Sequence, residues 1–286
     1  MKPDMDKQAS ARMDNPNYLE HMSGLPQHKE LCQKILKYFQ DMNGISGAFL
    51  SGSGAAGNMD RYSDLDLGFV CESETVKENI WAQRFSWSLP QWFHRMDADH
   101  VKPYFIIYLF NPDIHVDLVF YTLENLPPQA GAPFKIAWDR DNVLNEWLEN
   151  VNRPGASTPE WSNVVHEEER FWTWTHYAWC HAGRGEYYDI ASQFEFLRKI
   201  PQLWHARLQG KMAFDSRRLE QKNNAEFIRQ MNSSFPSPNR ESIKSALLNL
   251  IDVHNIQRGQ IERQLNPGWT TTPLAREKIT QLVREM

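Results

Sequence analysis

Cysteine is scarce in this chain, long apolar runs are missing and positive charge is in the minority. Three cysteines, Cys32, Cys71 and Cys180, occur among 286 residues. They are widely spaced and odd in number, which excludes a disulfide framework and a zinc-ligand spacing. Buried thiols in a reducing cytoplasm are the expectation. No run reaches the roughly 18 apolar residues that a membrane helix needs. The polar opening MKPDMDKQASARMDNPNYLE lacks the apolar stretch of a secretory signal, so no membrane contact is expected. Internal repeats and low-complexity tracts are absent too. Lys and Arg number 31 against 36 Asp and Glu, a formal net charge of −5. The balance is uneven: residues 1–205 hold 18 basic against 28 acidic side chains, and residues 206–286 hold 13 against 8. An acidic first part is poorly suited to a polyanion, which sets nucleic acid aside as a partner and favours a cationic small molecule.

What the chain does have is a stretch around which the rest is organised, Gly47 to Val70, GAFLSGSGAAGNMDRYSDLDLGFV. Ala48, Phe49 and Leu50 read as a strand running into a small-residue loop, Ser51 to Gly57. Ser63 to Val70 alternates and then turns apolar, the pattern of a strand buried on at least one face. Side chains two apart on a strand share a face, so Asp64 and Asp66 present two carboxylates to one side while Leu65 and Leu67 pack on the other. Two such charges repel unless a cation sits between them. Oxygen-rich sites beside substrate phosphates are what Mg²⁺ prefers, and a glycine-serine loop offers backbone N–H groups to those phosphates.

Gly52-Ser53, Ala55, Gly57 and then Ser63-Asp64-Leu65-Asp66-Leu67 resemble the signature of the DNA polymerase β-type nucleotidyltransferase superfamily, and most of all its small-molecule branch, the aminoglycoside and lincosamide nucleotidyltransferases. The resemblance implies a third carboxylate on a nearby strand. Asp117 in Asp113-Ile114-His115-Val116-Asp117-Leu118-Val119-Phe120-Tyr121 stands in that context, grouped by parity with His115 and Val119. It implies an α+β fold: an N-terminal mixed β-sheet flanked by helices, followed by a C-terminal helical bundle. It also implies the activity, transfer of a nucleoside monophosphate, expected to be AMP from ATP, to a hydroxyl of a small molecule. Asp64, Asp66 and Asp117 would hold two Mg²⁺, Gly52 and Ser53 would contact the triphosphate, and Ser63 would support the site. A glutamate from elsewhere in the chain lies near the acceptor hydroxyl in related enzymes. Glu167, Glu168 and Glu169 are the candidates here, with Glu167 expected as base beside Asp117.

Along the chain, residues 1 to about 24 read as a loose arm and Leu25 to Met42 as a helix. Residues 75–95 start as a helix near Thr75 that Pro90 must break. There Trp81, Phe85, Trp87, Trp92 and Phe93 are expected in the core. Tyr104–Phe110 and Ile114–Tyr121 read as a hairpin about Asn111-Pro112-Asp113. Residues 123–137 read as an irregular connection, with an edge strand near Phe134–Trp138 and Asp141 as the N-cap of the helix that follows. The Pro/Gly/Ser-rich stretch Arg153–Pro159 reads as a linker, giving a nucleotidyltransferase domain over 1–152 and a helical, substrate-binding domain over 153–286. Helices are expected over Pro159–Ala182, Glu186–Gln209 with a kink at Pro201, Ser242–Leu265, and from Pro273. His115 is expected to be a packed histidine, while Arg61, Arg184 and Arg198 divide between phosphate contact and surface salt bridges. The alternative acceptor is a protein or an RNA end, as in toxin–antitoxin nucleotidyltransferases, which are usually shorter and lack so large a helical domain.

Overall fold

The computed structural model describes residues 16–127, 134–150, 159–211 and 219–286. The chain forms two compact units, Met1–Ala156 and Ser157–Met286. The linker expected over 153–159 lies outside the described residues up to Thr158. So does the arm, up to residue 15. Within that arm, Pro16–Met22 is a 3₁₀ turn that buries Tyr18, Leu19 and Met22.

The first unit runs α1 (Pro26–Gln40), β1 (Ile45–Leu50), α2 (Gly52–Ala56), β2 (Leu65–Cys71), α3 (Glu74–Ala82), β3 (Trp92–Asp97), β4 (Phe105–Phe110), β5 (Ile114–Tyr121), β6 (Lys135–Asp139) and α4 (Val143–Asn150). The strands form one mixed sheet in the order β3-β4-β5-β2-β1-β6. Only β2 and β5 run parallel; every other neighbouring pair is antiparallel. The alternation of each strand sorts the side chains. On one face Leu50, Leu65, Leu67, Phe69, Val116, Leu118 and Phe120 pack against Ile35, Leu36 and Phe39 of α1. Phe39 is the hub, with ring centroids 4.4 Å from Phe69, 5.0 Å from Trp87 and 5.4 Å from Phe120. The other face holds the smaller cluster of Phe49, Val70, Tyr121, Leu126 and Leu144. Gly68 is required there: a Cβ would stand 2.1 Å from the Phe49 ring.

Four local expectations are corrected. The small-residue loop after β1 contains a short helix, α2, closed by Gly57 at φ 73°. Residues 92–97 belong to a strand: α3 already ends at Ala82, ahead of Pro90, and the chain returns to the sheet edge as β3. Both faces of β3 are largely open, so Trp92 and Phe93 are exposed; Phe85, in the turn before it, is exposed as well, and of the five aromatics expected in the core only Trp87 is buried. Arg84 stacks over Phe85 and pairs with Asp97, while Arg95 lies between Phe85 at 4.5 Å and Trp92 at 4.9 Å. The cap of α4 is Asp139, whose carboxylate accepts from the backbone N–H of Leu144 and Asn145, both at 3.0 Å. Asp141 instead takes a left-handed backbone at φ 56° in the turn between them.

The second unit comprises α5 (Val164–Arg184), α6 (Tyr187–Leu208), α7 (Leu219–Lys222), α8 (Ala225–Asn232), α9 (Arg240–Leu265) and α10 (Pro273–Arg284). Gly185 at φ 72° ends α5, and Asn224, Asn239 and Thr272 cap the helices they precede. Pro201 sits within α6, which continues to Leu208. Phe171, Trp172, Phe194, Leu197, Leu247, Leu250 and Ile251 form the core. His254 lies beside that core, stacked 3.9 Å from Phe171 and 4.7 Å from Trp204. Neither of its ring nitrogens has a hydrogen-bond partner among the described residues. Burial, aided by the charges of Arg258 and Arg276, holds its pKa well below the ordinary histidine value.

A histidine that stays neutral when folded and takes a proton when unfolded removes stability as pH falls through its unfolded-state pKa of about 6.5. The slope is at most about 1.4 kcal/mol per pH unit. Thermal unfolding followed by circular dichroism is therefore expected to show a smaller loss of stability between pH 7 and pH 5 in His254→Phe than in the wild type. An equal loss in both would assign the acid sensitivity elsewhere.

Candidate active site

Register builds the site. In the parallel pair, Asp66 of β2 stands directly beside Asp117 of β5, so both point to the face opposite the α1 core. Asp64 enters just before β2, and one carboxylate oxygen from each of Asp64, Asp66 and Asp117 lies within 4.8 Å of the others. All three residues are partly exposed. At such separations two carboxylates repel by at least about 3 kcal/mol at an effective dielectric of about 20. Bringing three together costs stability unless a cation offsets it. Three hard oxygen donors at one point fit Mg²⁺ and similar divalent ions.

The loop meets the carboxylates through its backbone. Ser51 N–H donates to the Asp66 carbonyl at 3.0 Å. Gly52 has φ 57°, and a Cβ there would fall 2.0 Å from Asp66 Oδ2. Only glycine lets the chain turn this tightly against the carboxylate. The Ser53 Oγ is buried with no partner among the described residues. Ser63 plays a different part: its Oγ accepts from Asp60 N–H at 2.9 Å and its carbonyl meets His28 Nε2 at 3.2 Å. It shapes the turn that delivers Asp64.

The sequence profile of the streptomycin adenylyltransferase family matches residues 25–281. The chain belongs to that family. This places the adenylyltransferase-family chain in the small-molecule branch of the nucleotidyltransferases and makes nucleotidyl transfer its class of chemistry. Solved structures that resemble it include the following. An aminoglycoside 6-adenyltransferase from Bacillus subtilis shares 12% identity over 91% of this chain and 98% of its own, at TM-score 0.39. A nucleotidyltransferase-like protein from Exiguobacterium sibiricum shares 12% over 90% and 89%, at TM-score 0.32. A CCA-adding enzyme shares 12% over 95% and 60%, at TM-score 0.33. No curated protein matches.

His115, expected to be packed, is instead part of the carboxylate centre of this adenylyltransferase-family chain. Its Nε2 lies 2.7 Å from Asp117 Oδ1, and its side chain is 42% exposed. This short polar contact with Asp117 is the main cause of a raised pKa; partial burial opposes it, and the charges of Asp117, Asp64 and Asp66 add to it. Parity put His115 and Asp117 on one face, but parity alone does not measure the gap between them. Lys102 carried no signal at all, because the β3–β4 turn brings it in: its ammonium sits 4.9 Å from the Tyr121 ring centre. Burial lowers its pKa while Asp66 and Asp117 pull it back up.

Glu167 belongs to the second unit. Its Oε2 accepts from Trp204 Nε1 at 2.7 Å and pairs with Arg207 at 2.6 Å. Both donors meet the same one of its two carboxylate oxygens. Glu168 is fully buried against Trp172 and Arg258, and Glu169 accepts from Thr270. Arg184 pairs with Glu186 and Arg198 donates to the Ser234 carbonyl, while Arg61 stacks on Tyr62. No helix among the described residues is long and apolar enough to cross a membrane.

Gly52→Ala tests the contact between loop and carboxylate. The new methyl must displace Asp66, so divalent-ion affinity, read by Mn²⁺ titration, is expected to fall about ten-fold or more. The strained backbone should cost about 1 kcal/mol of stability. Unchanged Mn²⁺ affinity would show that the loop does not hold the carboxylate.

Proposed function

We propose that the chain transfers a nucleoside monophosphate, AMP from ATP, to a hydroxyl of a small cationic acceptor of the aminoglycoside kind. The observation that carries this reading is the meeting of Asp64, Asp66 and Asp117 within 4.8 Å on the sheet face reached by the Gly52 turn. The family supports an adenylyl donor, and the acidic balance of residues 1–205 suits a cation.

The acceptor oxygen attacks the α-phosphorus, the new O–P bond forms, and the bond to the bridging oxygen breaks to release pyrophosphate. Asp64, Asp66 and Asp117 would hold Mg²⁺, which when bound neutralises phosphate charge and acidifies a hydroxyl. Little covalent help is needed in such a transfer, so positioning and charge supply most of the rate. The unpartnered Ser53 hydroxyl offers a donor to the phosphates, and Gly52 allows them to approach the backbone. Asp117 takes the proton of the acceptor hydroxyl, oriented by His115 beside it. Glu167 is left to join α5 to α6 through Trp204 and Arg207. The helical unit, over 153–286 as a substrate-binding domain, selects the acceptor.

Asp64→Asn and Asp66→Asn are each expected to abolish pyrophosphate release in the presence of acceptor, with thermal unfolding unchanged or slightly raised because repulsion is relieved. Retained turnover in either variant would remove the mechanism. Incubation with radiolabelled ATP and Mg²⁺, offering aminoglycosides, total RNA and total protein in separate arms, should label the small molecule alone. Label in RNA or protein would move the acceptor to the other class.

A further inference from the structure

Lys102 is a half-buried cation whose ammonium has no anion in direct contact among the described residues. The β3–β4 turn that carries it is fixed: Ala98 N–H donates to the Phe105 carbonyl at 2.8 Å, Lys102 N–H to the Ala98 carbonyl at 3.2 Å, and Phe120 N–H to the Tyr104 carbonyl at 3.0 Å. The turn is thereby tied to both β4 and β5. From it the Lys102 ammonium extends over the ring of Tyr121 at 4.9 Å. Tyr121 pairs with Val70 in register as Asp117 pairs with Asp66, so the ring and the two carboxylates share one sheet face. Lys102 is half-buried. It feels the charges of Asp66 and Asp117, yet among the described residues its ammonium makes no ion pair or hydrogen bond.

An ammonium taken partly out of water without a direct partner is costly. The distant carboxylates offset part of that cost only while they remain negative. Divalent ions on those carboxylates reverse the sign of the local field, and Lys102 then needs an anion of its own. The group that arrives with the ions is a polyphosphate, whose charge exceeds what they neutralise. We propose that Lys102 binds a phosphate oxygen of the nucleotide held at the Asp64–Asp66–Asp117 centre, an inference that rests on the reading of that centre given above. A lysine serves a mobile phosphate chain as a compact point charge with three donors. The Tyr121 ring beneath it adds a cation–π contact that keeps the ammonium in place.

Charge logic separates this role from a structural one, because removing the lysine moves two affinities in opposite directions. Calorimetry on the full chain would measure Mn²⁺ alone, then ATP and inorganic triphosphate, each with Mg²⁺. In Lys102→Gln, Mn²⁺ affinity is expected to hold or rise, since a like charge has gone. Affinity for both triphosphates should fall about ten-fold or more, the worth of a charge-assisted hydrogen bond. Lys102→Arg should restore most of it. Wild-type affinity for triphosphate in Lys102→Gln would overturn the proposal. So would a parallel loss of Mn²⁺ and triphosphate binding with a lowered unfolding temperature, which marks a folding role. If the wild type itself shows no metal-dependent triphosphate binding, the reading of the carboxylate centre fails and takes the lysine's role with it.

Discussion

The parallel pairing of β2 with β5 is the constraint on which the carboxylate centre depends. It sets Asp66 beside Asp117, and side chains along a strand alternate. A slip of one residue would send Asp117 into the α1 core and bring Val116 or Leu118 to the outer face. The register is held from both sides. Leu65, Leu67, Val116 and Leu118 are essentially fully buried on the inner face, while Phe49, lying over Gly68, and Tyr121 close the outer one. The apolar residues between the aspartates therefore do more than fill a core. They fix where three mutually repelling groups meet, and their burial offsets that repulsion.

Much of this was legible because it is local or periodic. The Asp-x-Asp spacing, the glycine-serine turn and the apolar alternation around Asp117 are short-range patterns, and they placed the strands and their faces. What was not legible depended on distance or on competition between neighbours. Nothing local to His115 shows that its ring reaches Asp117, and nothing local to Lys102 shows that a turn carries it over Tyr121. β3 was hidden because its exposed aromatics lack the half-buried alternation that marks a strand. The cap of α4 went to Asp139 rather than Asp141 because Asp141 and Asn142 took left-handed backbone, which moved the start of the helix downstream.

In the helical unit the three glutamates at 167–169 look alike in sequence and are unlike in the fold. Glu167 ties α5 to α6, Glu168 is sealed against Arg258, and Glu169 meets solvent and Thr270. Successive residues on a helix point in directions about a quarter-turn or more apart, so a run of one residue type is distributed over several environments. Glu168, sealed, and Glu167, half-buried, each meet an arginine, as buried charges generally must.

The outer rim of β3 has no strand beyond it, and it displays Trp92, Phe93 and Met96 to solvent. Such a rim invites another molecule to extend the sheet. Arg95, clasped between two aromatic rings, sets a positive charge along that border, and beside it Arg84 is locked to Asp97 in an ion pair. Any chain that pairs with this rim must therefore meet the guanidinium of Arg95 and the Arg84–Asp97 ion pair together with the aromatic rings.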